Sequence, residues 1–518
     1  MDFEKKEQTA GALLPAPPEG GAAVTCVKFS PQSLHLACGR ANGEVWILEP
    51  VVLTPKAPTP FACSDCAVQH LQFSGDALQF ACSDANRTVH LFNYHPQEDC
   101  WRFRGKVRSH YEPIHDLGFF PTACGRSSLL SIGADRHLVE YNNMEARGGS
   151  EIAFAISSRE RIEQSAVPTN FAYYERGGGA HPVGYLLLAN DQHKIKTLHA
   201  GTKLPRSLVL GPALGCFHHA NLRKMRVLPQ HHARYLVFIT EKYLGMQLLP
   251  ADGNPFKYCG YLAHPHQVGD FALSHDGGFA FTYGAEDRSL LQWEVRPRAV
   301  ELLSLIGGTE LEPFYCLLEG GKSGWLFQEV QDLFFYMQIL QQENIDLPRR
   351  VSDTIQLSEI PELVRTCGFY PSHFELETMM MDIRYRDFDE TGLVRDEVSF
   401  VEFVRLFVNH RPAYGYSMER LREAFGTMCQ MGEYPKRSRI EKEDFVYLLQ
   451  SIGEPSPNLH RSLTTLLRVS TYGENNFDFL PPEIDSSFLV DELLGIDAAP
   501  REKPAKQESS ESLLGKPH

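Results

Sequence analysis

The stretch that decides the fold is AVTCVKFS at residues 23–30, which returns as AVQHLQFS at residues 67–74. A second stretch, ANGEVWIL at residues 41–48, returns as ANRTVHLF at residues 85–92, with the same offset of 44 residues. Within each copy the apolar residues alternate with other residues, which is the pattern of β-strands with one buried face. A repeat of this length predicts one small β-sheet per copy.

The same unit recurs further along the chain. A third copy spans residues 114–142, and the last copy is the sharpest, with Asp287 in a turn and Trp293 closing a strand. Two weaker copies contain Tyr185 and Tyr235. A period of about 40–45 residues with these features resembles the WD40 repeat, in which four-stranded blades stack radially. We therefore predict a β-propeller with about six recognisable blades.

Seven blades is the commoner closed number for this architecture. Three explanations remain open at this point: one blade has decayed beyond recognition, the propeller is split, or the chain is part of a longer product. A propeller is a platform whose loops are free to bind, and no nucleophile or metal-ligand set with catalytic spacing accompanies it. We therefore expect a binding protein and not an enzyme.

Charge is distributed unevenly along the 518 residues. The net charge is −15, and residues 301–518 contain 37 of the 65 acidic side chains but only 21 of the 50 basic ones. An acidic region of this kind repels phosphate backbones, so we expect no nucleic-acid partner. No apolar run approaches the roughly 18 residues of a membrane span, and the N-terminus is charged. We expect a soluble protein of a reducing compartment with no membrane partner.

After about Pro297 the apolar period changes from two residues to 3.6. One helix face contains Phe327 and Phe334, and two later faces lie within residues 418–428 and 445–452. Short loops between these helices place an aliphatic residue two positions after a small one. Helices and loops in this order follow the plan of the EF-hand. We predict an all-α EF-hand-like domain after the propeller.

A calcium-binding loop needs oxygen ligands at positions 1, 3, 5 and 12. Of the three loops, only the middle one begins correctly, with Asp387, Asp389 and Thr391 at the first three of these positions. The other two loops supply too few carboxylates. The middle loop is therefore the candidate metal site.

The end of the middle loop departs from the pattern. We interpret residues 395–398 as an insertion, because Ser399 and Glu402 form the sequence of a capping box that starts the exit helix. Glu397 or Glu402 is then the candidate bidentate ligand. Two interpretations stay open: a distorted loop that binds Ca²⁺ weakly, and a metal-free helix pair.

The predicted domains follow from these changes in pattern. They are a disordered N-terminus (residues 1–20), a WD40-repeat propeller (21–300), an EF-hand-like helical domain (301–497) and a disordered tail (498–518). The predicted fold class is multidomain, an all-β WD40 β-propeller followed by an all-α EF-hand-like domain.

Three stretches of the C-terminal part carry a family resemblance. They are IPELVRTCGFYPS at residues 360–372, a segment ending in VNHRP at residues 403–412, and residues 440–449. Together with the propeller they resemble the family of cilia- and flagella-associated protein 251, WD-repeat proteins of motile cilia. The resemblance covers most of residues 20–496. Family members are usually much longer, with an acidic N-terminal extension and a tandem pair of propellers.

The resemblance implies a non-catalytic scaffold of the axoneme that links a radial spoke base and inner dynein arms to doublet microtubules, and so supports ciliary and sperm motility. The partners it implies are members of the calmodulin- and spoke-associated complex, the radial spoke and calmodulin. The implied location is the cytoplasm, the cytoskeleton and the axoneme of a cilium or flagellum. The alternative is a general cytoskeletal or trafficking adaptor whose partner binding is modulated by calcium.

Overall fold

The structure is a computed structural model that describes residues 11, 14, 23–122, 127–143, 153–176, 183–214, 221–229, 234–340, 342, 351–413, 418–431, 438–452 and 480–493. The chain divides into two compact units, Met1–Ala413 and Tyr414–His518. The first unit contains a β-propeller and the helices that follow it as far as Ala413. The predicted disordered tail, residues 498–518, and all of residues 1–20 except Gly11 and Leu14 lie outside the described residues.

The first three blades of the propeller are four-stranded antiparallel sheets. Blade one consists of β1 (Val24–Phe29), β2 (Leu36–Arg40), β3 (Glu44–Leu48) and β4 (Phe61–Ala62). Blade two consists of β5 (Val68–Phe73), β6 (Gln79–Asp84), β7 (Thr88–His95) and β8 (Cys100–Arg108). Blade three consists of β9 (Ile114–Pro121), β10 (Ser127–Gly133), β11 (His137–Asn142) and β12 (Ala155–Arg161).

Blades four and five repeat this plan, whereas blade six has three strands. Blade four consists of β13 (Pro168–Arg176), β14 (Val183–Asn190), β15 (Lys194–His199) and β16 (Pro205–Leu210). Blade five consists of β17 (Lys224–Val227), β18 (Tyr235–Ile239), β19 (Tyr243–Leu248) and β20 (Tyr258–Leu262). Blade six consists of β21 (Val268–Leu273), β22 (Phe279–Gly284) and β23 (Leu290–Glu294). The prediction of six blades is confirmed.

The hydrophobic cores of the propeller lie between neighbouring blades, because the alternating apolar residues of one sheet face the next sheet. Phe80 and Phe92 of blade two stack with ring centroids 4.2 Å apart. They belong to one buried cluster with Val45 and Ile47 of blade one. Full burial of a side chain of this size contributes roughly 1.5–3 kcal/mol. The stacking of blades is therefore the main source of stability for this part of the chain.

Buried hydrogen bonds between Asp and His side chains fix the turns of the repeat. In blade three His110 binds Asp135 through Nδ1 at 2.9 Å and Ser131 through Nε2 at 2.7 Å. The hydroxyl of Ser131 also lies 2.7 Å from that of Tyr141. Burial alone would raise the pKa of Asp135, but hydrogen bonds from His110 and from backbone N–H groups hold it at about 2. In blade six the same arrangement uses other residues, namely His264, Asp287, Thr282 and Trp293.

Among the described residues of the first unit, six α-helices follow the propeller. They are α1 (Arg298–Ile306), α2 (Trp325–Leu340), α3 (Ile360–Thr366), α4 (His373–Arg384), α5 (Phe388–Thr391) and α6 (Phe400–His410). On α2 the predicted apolar face is buried, as Phe327 and Phe334 show, although Leu340 at its end is exposed. This face forms one core with apolar residues of α3, α4 and α6.

A pair of short strands joins two loops of the helical region. β24 (Thr354–Gln356) pairs in antiparallel register with β25 (Glu397–Ser399), and Ile355 lies opposite Val398. Helix pairs joined by such a two-stranded ribbon are the arrangement that the EF-hand plan predicted. The partner of the middle loop is therefore the segment around Ile355, which the sequence analysis did not identify as a loop of this kind. The period-based prediction missed it because a three-residue strand is too short to show alternation.

The second unit contains its own small core. Its described elements are α7 (Met418–Met431), β26 (Arg439–Glu441), α8 (Lys442–Ser451), β27 (Glu483–Asp485) and a π-helical segment, Phe488–Leu493. β26 pairs with β27 in antiparallel register, with Ile440 opposite Ile484. Both isoleucines are buried with Phe425 and Phe445. This unit thus repeats the plan of helices joined by a short two-stranded ribbon.

Candidate functional site

The candidate calcium loop lies against the propeller. β16, the outer strand of blade four, packs against α4 and α6. The loop between these two helices contains α5 and most of the predicted calcium ligands. We define the contact between blade four and the segment α4–α6 as the blade-four interface.

Asp389 of α5 is held by two side chains of blade four. Arg206 donates from Nε to Oδ2 of Asp389 at 3.0 Å and from Nη2 to Oδ1 at 3.2 Å. Tyr185 donates its hydroxyl hydrogen to Oδ2 at 2.8 Å. The side chains of Arg206 and Asp389 are each only 10% exposed. A bidentate guanidinium–carboxylate pair fixes orientation as well as distance, so it locks α5 in one position on the blade.

The protonation states at this contact follow from its surroundings. Burial raises the pKa of the Asp389 carboxyl, but hydrogen bonds from Arg206 and Tyr185 outweigh burial and hold the pKa below its ordinary value. The pKa of Tyr185 is raised, first by burial and then by its hydrogen bond to Asp389. At neutral pH the carboxylate therefore stays charged and the phenol stays protonated, as the hydrogen bonds require.

A second buried carboxylate, Asp382 of α4, joins the helices to blade four. Its Oδ2 accepts hydrogen bonds from the backbone N–H of Leu208 at 3.3 Å and from His410 Nε2 at 3.2 Å. Its Oδ1 accepts from Arg386 at 3.0 Å. Burial raises the pKa of Asp382, but Arg386 and His410 shift it below its ordinary value. Lys194 of β15 donates to the backbone carbonyl of His410, which adds a second buried link between blade and helix.

Asn409 of α6 connects three segments. Its Oδ1 accepts from the backbone N–H of Leu210 in β16 at 3.1 Å, and its Nδ2 donates to the carbonyl of Asp252 at 3.1 Å. Gly253, next to Asp252, has a positive φ of 79°, and a Cβ atom added there would overlap with the side-chain amide of Asn409. Only glycine fits at residue 253, because both the backbone conformation and the space exclude a side chain.

The first three predicted calcium ligands do not point into one cavity. Asp387 pairs with Arg395. Asp389 is turned toward Arg206 and Tyr185, as described above. Thr391 donates its hydroxyl hydrogen to the carbonyl of Asp387 at 2.8 Å and so closes the turn of α5 on itself.

The two candidate bidentate ligands also have other partners. Glu397 accepts hydrogen bonds from Thr354 at 2.9 Å and from Gln356 at 3.2 Å, across the β24–β25 ribbon. Glu402 accepts the backbone N–H of Ser399 at 3.1 Å, and the Ser399 hydroxyl accepts the N–H of Glu402 at 3.3 Å. The predicted capping box is thus confirmed. Glu402 also pairs with Arg395 at 2.6 Å.

Calcium therefore does not fit this arrangement of side chains. Arginine guanidinium groups stand beside Asp387, Asp389 and Glu402, where a Ca²⁺ ion would need unpaired oxygens. Within the described ranges, no group of three or more His, Cys, Asp and Glu side chains is placed to hold a metal ion. Calcium binding by Asp387, Asp389, Thr391, Glu397 and Glu402 stays a prediction. In this conformation Asp389 holds the loop on the propeller, and the other four side chains bond within the helical region.

The residues of blade four that complete this interface were not found from the sequence. Arg206 and Tyr185 lie in one of the two weakest copies of the repeat, and 183 residues separate Arg206 from Asp389. The sequence contained one indication of this interface. The stretch VNHRP contains Asn409 and His410, two buried polar residues at the end of α6.

The helices of this interface lie within a segment that matches a known family model. Residues 325–494 match the model described as the CFAP251 C-terminal domain. A mouse protein named "Cilia- and flagella-associated protein 251" is 36% identical over 462 residues, which cover 88% of this chain. The chain belongs to the CFAP251 family. The resemblance carried by the three C-terminal stretches is thereby confirmed.

Other CFAP251 proteins show how far the likeness extends. The protein of that name from Tetrahymena thermophila is 29% identical over 82% of this chain, and the one from Chlamydomonas reinhardtii is 22% identical over 91%. The chain spans 34% of the length of the mouse protein, 47% of the Tetrahymena protein and 46% of the Chlamydomonas protein. It therefore corresponds to one part of each CFAP251 relative.

Solved structures add little to the CFAP251 match. The Cps50 (Swd1) β-propeller domain from Myceliophteria thermophila matches 52% of this chain and 83% of its own chain, at 16% identity and a TM-score of 0.38. Among the described residues no helix is long and apolar enough to cross a membrane.

Proposed function

We propose that this chain is a non-catalytic scaffold of the motile cilium or flagellum. Its place is the axoneme, where it links a radial spoke base and inner dynein arms to doublet microtubules. The names of the mouse, Tetrahymena and Chlamydomonas relatives, each a cilia- and flagella-associated protein, support this location. A β-propeller supports the binding role, because its blades present loops to several partners from one frame.

The observation that carries the proposal is the buried Arg206–Asp389 pair. A scaffold that connects two assemblies under mechanical load must keep its binding surfaces in a fixed geometry. Domains within one chain ordinarily move relative to each other unless their interface is large or firmly tied. The blade-four interface ties α4–α6 to the propeller through buried hydrogen bonds from Tyr185, Arg206 and Lys194. The propeller and these helices therefore act as one body.

The proposed partners are axonemal proteins: members of the calmodulin- and spoke-associated complex, the radial spoke and calmodulin. Residues 301–518, with 37 acidic and 21 basic side chains, suit basic helical partners by charge complementarity. Calcium at the loop of residues 387–402 would act on the blade-four interface itself, since Asp389 would have to exchange Arg206 for the ion. Calcium modulation of partner binding is thus coupled to release of the loop from the propeller.

Detergent extraction tests this function. The tagged full chain is expressed in a ciliated cell, and membrane and soluble matrix are removed from isolated cilia. We expect the chain to stay with the axoneme and to cross-link there to spoke-base proteins. Complete release with a soluble ciliary marker would contradict the scaffold and would favour the alternative, a cytoskeletal or trafficking adaptor.

A further inference from the structure

Blade two contains a buried pair of polar side chains that blade three builds the same turn without. His90 Nε2 lies 3.0 Å from Oδ2 of Asp84, and the two side chains are 0% and 1% exposed. In blade three Gly133 accepts the backbone hydrogen bond that closes the turn, as Asp84 does in blade two. Val139 stands in the position of His90. The fold therefore does not require this pair.

The imidazole of His90 has one nitrogen to spare. Burial raises the pKa of Asp84, but hydrogen bonds from His90 and from the backbone N–H of Thr88 outweigh burial and hold that pKa below its ordinary value. An ionised carboxylate only accepts, so His90 Nε2 carries the hydrogen. Nδ1 is buried and has no hydrogen-bond partner among the residues that the structure describes. A buried polar atom without a partner is rare in proteins and calls for an explanation.

This pair lies at the wall of a cavity of about 360 Å³, where the connection from blade one meets blade two. Ser64 and Asp65 of the connection after β4 line one side. His90, Lys106 and Arg108 of blade two line the other side. The volume lies within the range of pockets that hold small ligands. We name it the blade-two cavity.

Two cations line the blade-two cavity beside the pair. Lys106 lies opposite His90 and Arg108 opposite Thr88 on β8 and β7, so the four side chains share one face of the sheet. Both cations are exposed, and within the described ranges neither forms an ion pair with a carboxylate. Arg102 on the same strand differs, because it pairs with Glu98.

The two carboxylates that line the cavity do not neutralise these cations directly. Asp84 is bonded to His90, and Asp65 is exposed to solvent. Asp65 still carries a negative charge near the opening, so it weakens any anion that binds there. The blade-two cavity thus offers two free cations, a hydroxyl from Ser64 and a buried imidazole nitrogen to one ligand.

We propose that the blade-two cavity binds the phosphate group of a phosphorylated serine or threonine side chain on a partner protein. A phosphate monoester carries up to two negative charges, which match Lys106 and Arg108, and its three terminal oxygens can accept from several donors. A phosphate oxygen can also hold a proton, so the group satisfies His90 Nδ1 whether that nitrogen carries a hydrogen or not. A carboxylate has one charge and two oxygens and leaves part of this donor set unused.

The partner protein as the source of the phosphate rests on the binding role proposed above. The exposed cations fit this source, because a side chain on the surface of another protein can reach them. The phosphate site itself stands on the cavity and its lining residues alone. Detergent extraction of cilia does not test the cavity, so the two proposals can fail separately.

Isothermal titration of the full chain tests the site with N-acetyl-O-phosphoserine amide as the probe. The titration is made at two temperatures, because a binding enthalpy near zero at one of them differs from zero at the other. We expect saturable binding with a Kd of about 1 mM or lower. Inorganic phosphate, which lacks the side chain, binds about threefold or more weakly, and N-acetylglutamate amide about tenfold or more weakly.

Three variants and a control locate the binding in the blade-two cavity. Lys106→Ala and Arg108→Ala each weaken the probe by about fivefold or more. Asp65→Asn strengthens it by about twofold or more, because the substitution removes a like charge. Arg102→Ala is the matched control: Arg102 is an exposed cation on the same strand, and it does not line the cavity. All four side chains are exposed, so the variants keep the fold.

Four results would overturn the proposal. The absence of saturable heat up to about 20 mM probe would exclude a phosphate site. Equal affinity for N-acetylglutamate amide would assign the cavity to carboxylates, and equal affinity for inorganic phosphate would assign it to the free ion. An equal loss of affinity in Arg102→Ala would show that the probe responds only to the general charge of the strand.

Discussion

Arg206 of the propeller binds both carboxylate oxygens of Asp389, at 3.0 and 3.2 Å, across an interface where each side chain is only 10% exposed. Asp389 occupies position 3 of what the sequence presents as a calcium-binding loop. A carboxylate that an EF-hand would turn inward to an ion is thus turned outward to a neighbouring blade. The loop serves as a point of attachment between the helices and the propeller.

Removal of the Arg206 side chain leaves a buried carboxylate without its counter-charge. We expect Arg206→Ala to lower the free energy of unfolding of the first unit by about 2–4 kcal/mol, since breaking a buried ion pair costs far more than the pair contributes. Urea denaturation measures the change. Arg176→Ala is the matched control: Arg176 is also on blade four and pairs with Glu390, next to Asp389, but these side chains are 40% and 56% exposed. That pair contributes at most about 1 kcal/mol, so equal effects of the two variants would refute the burial argument.

Calcium must displace Arg395 from Asp387 and Glu402 and Arg206 from Asp389 before it can bind. We therefore expect isothermal titration of the full chain with CaCl2 to give no saturable heat below about 1 mM. Saturable heat in the micromolar range that Asp387→Asn abolishes would show instead that the loop opens readily to accept the ion.

His410 makes the stability of the first unit depend on pH. Burial lowers the pKa of His410, and Lys194 and Arg386 add to this effect, while Asp382 opposes it. The folded state therefore takes up a proton less readily than the unfolded state, so stability is present above the unfolded pKa of about 6.5 and is lost as the pH falls below it. We expect the free energy of unfolding to fall by about 1 kcal/mol more between pH 7 and pH 5.5 in the wild type than in His410→Gln.

Chemical denaturation at the two pH values checks this dependence. The glutamine amide can still donate to Asp382, so the variant removes the titration while it keeps the hydrogen bond. Identical slopes for the wild type and His410→Gln would show that His410 does not titrate in this range.

A substitution at Gly253 tests how closely α6 approaches the loop after β19. We expect Gly253→Ala to destabilise the first unit by about 2 kcal/mol or more, because the added Cβ overlaps with Asn409 and the positive φ of 79° is strained. Gly368→Ala separates these two causes. Gly368 has a similar φ of 84° but open space around it, so its replacement costs about 1 kcal/mol from strain alone. Thermal unfolding of both variants gives the comparison.

The propeller could be predicted from the sequence because its signal is local and repeated. Val24 and Val68 begin equivalent strands 44 residues apart, and in β5 the apolar residues that recur along the strand, Leu71 and Phe73, are buried. The capping box of Ser399 and Glu402 was predictable for the same reason, since it lies within four residues. Both features can be predicted because they depend only on residues that are close together in the sequence.

The blade-four interface could not be predicted, because it joins residues from opposite parts of the chain. The sequence shows that Asp389 is a carboxylate at a ligand position, but it does not show which cation lies nearest in the fold. Arg206 becomes that cation only when β16 packs on α4 and α6. The 52% exposure of Val27 was equally hidden, because Val27 occupies the same position of the repeat as Leu71, which is only 5% exposed.

The central claim is that the propeller and the helices attached to it act together as a scaffold. The most direct test measures whether axonemes still retain a variant in which the blade-four interface is broken. Tagged wild-type chain, Arg206→Ala and Arg176→Ala are expressed in a ciliated cell, and the fraction that stays with detergent-extracted axonemes is measured relative to intact protein in the whole cilium. We predict that the wild type and Arg176→Ala are retained and that Arg206→Ala is largely released. Retention of Arg206→Ala at the wild-type level would contradict the requirement for a fixed geometry between the propeller and the helices.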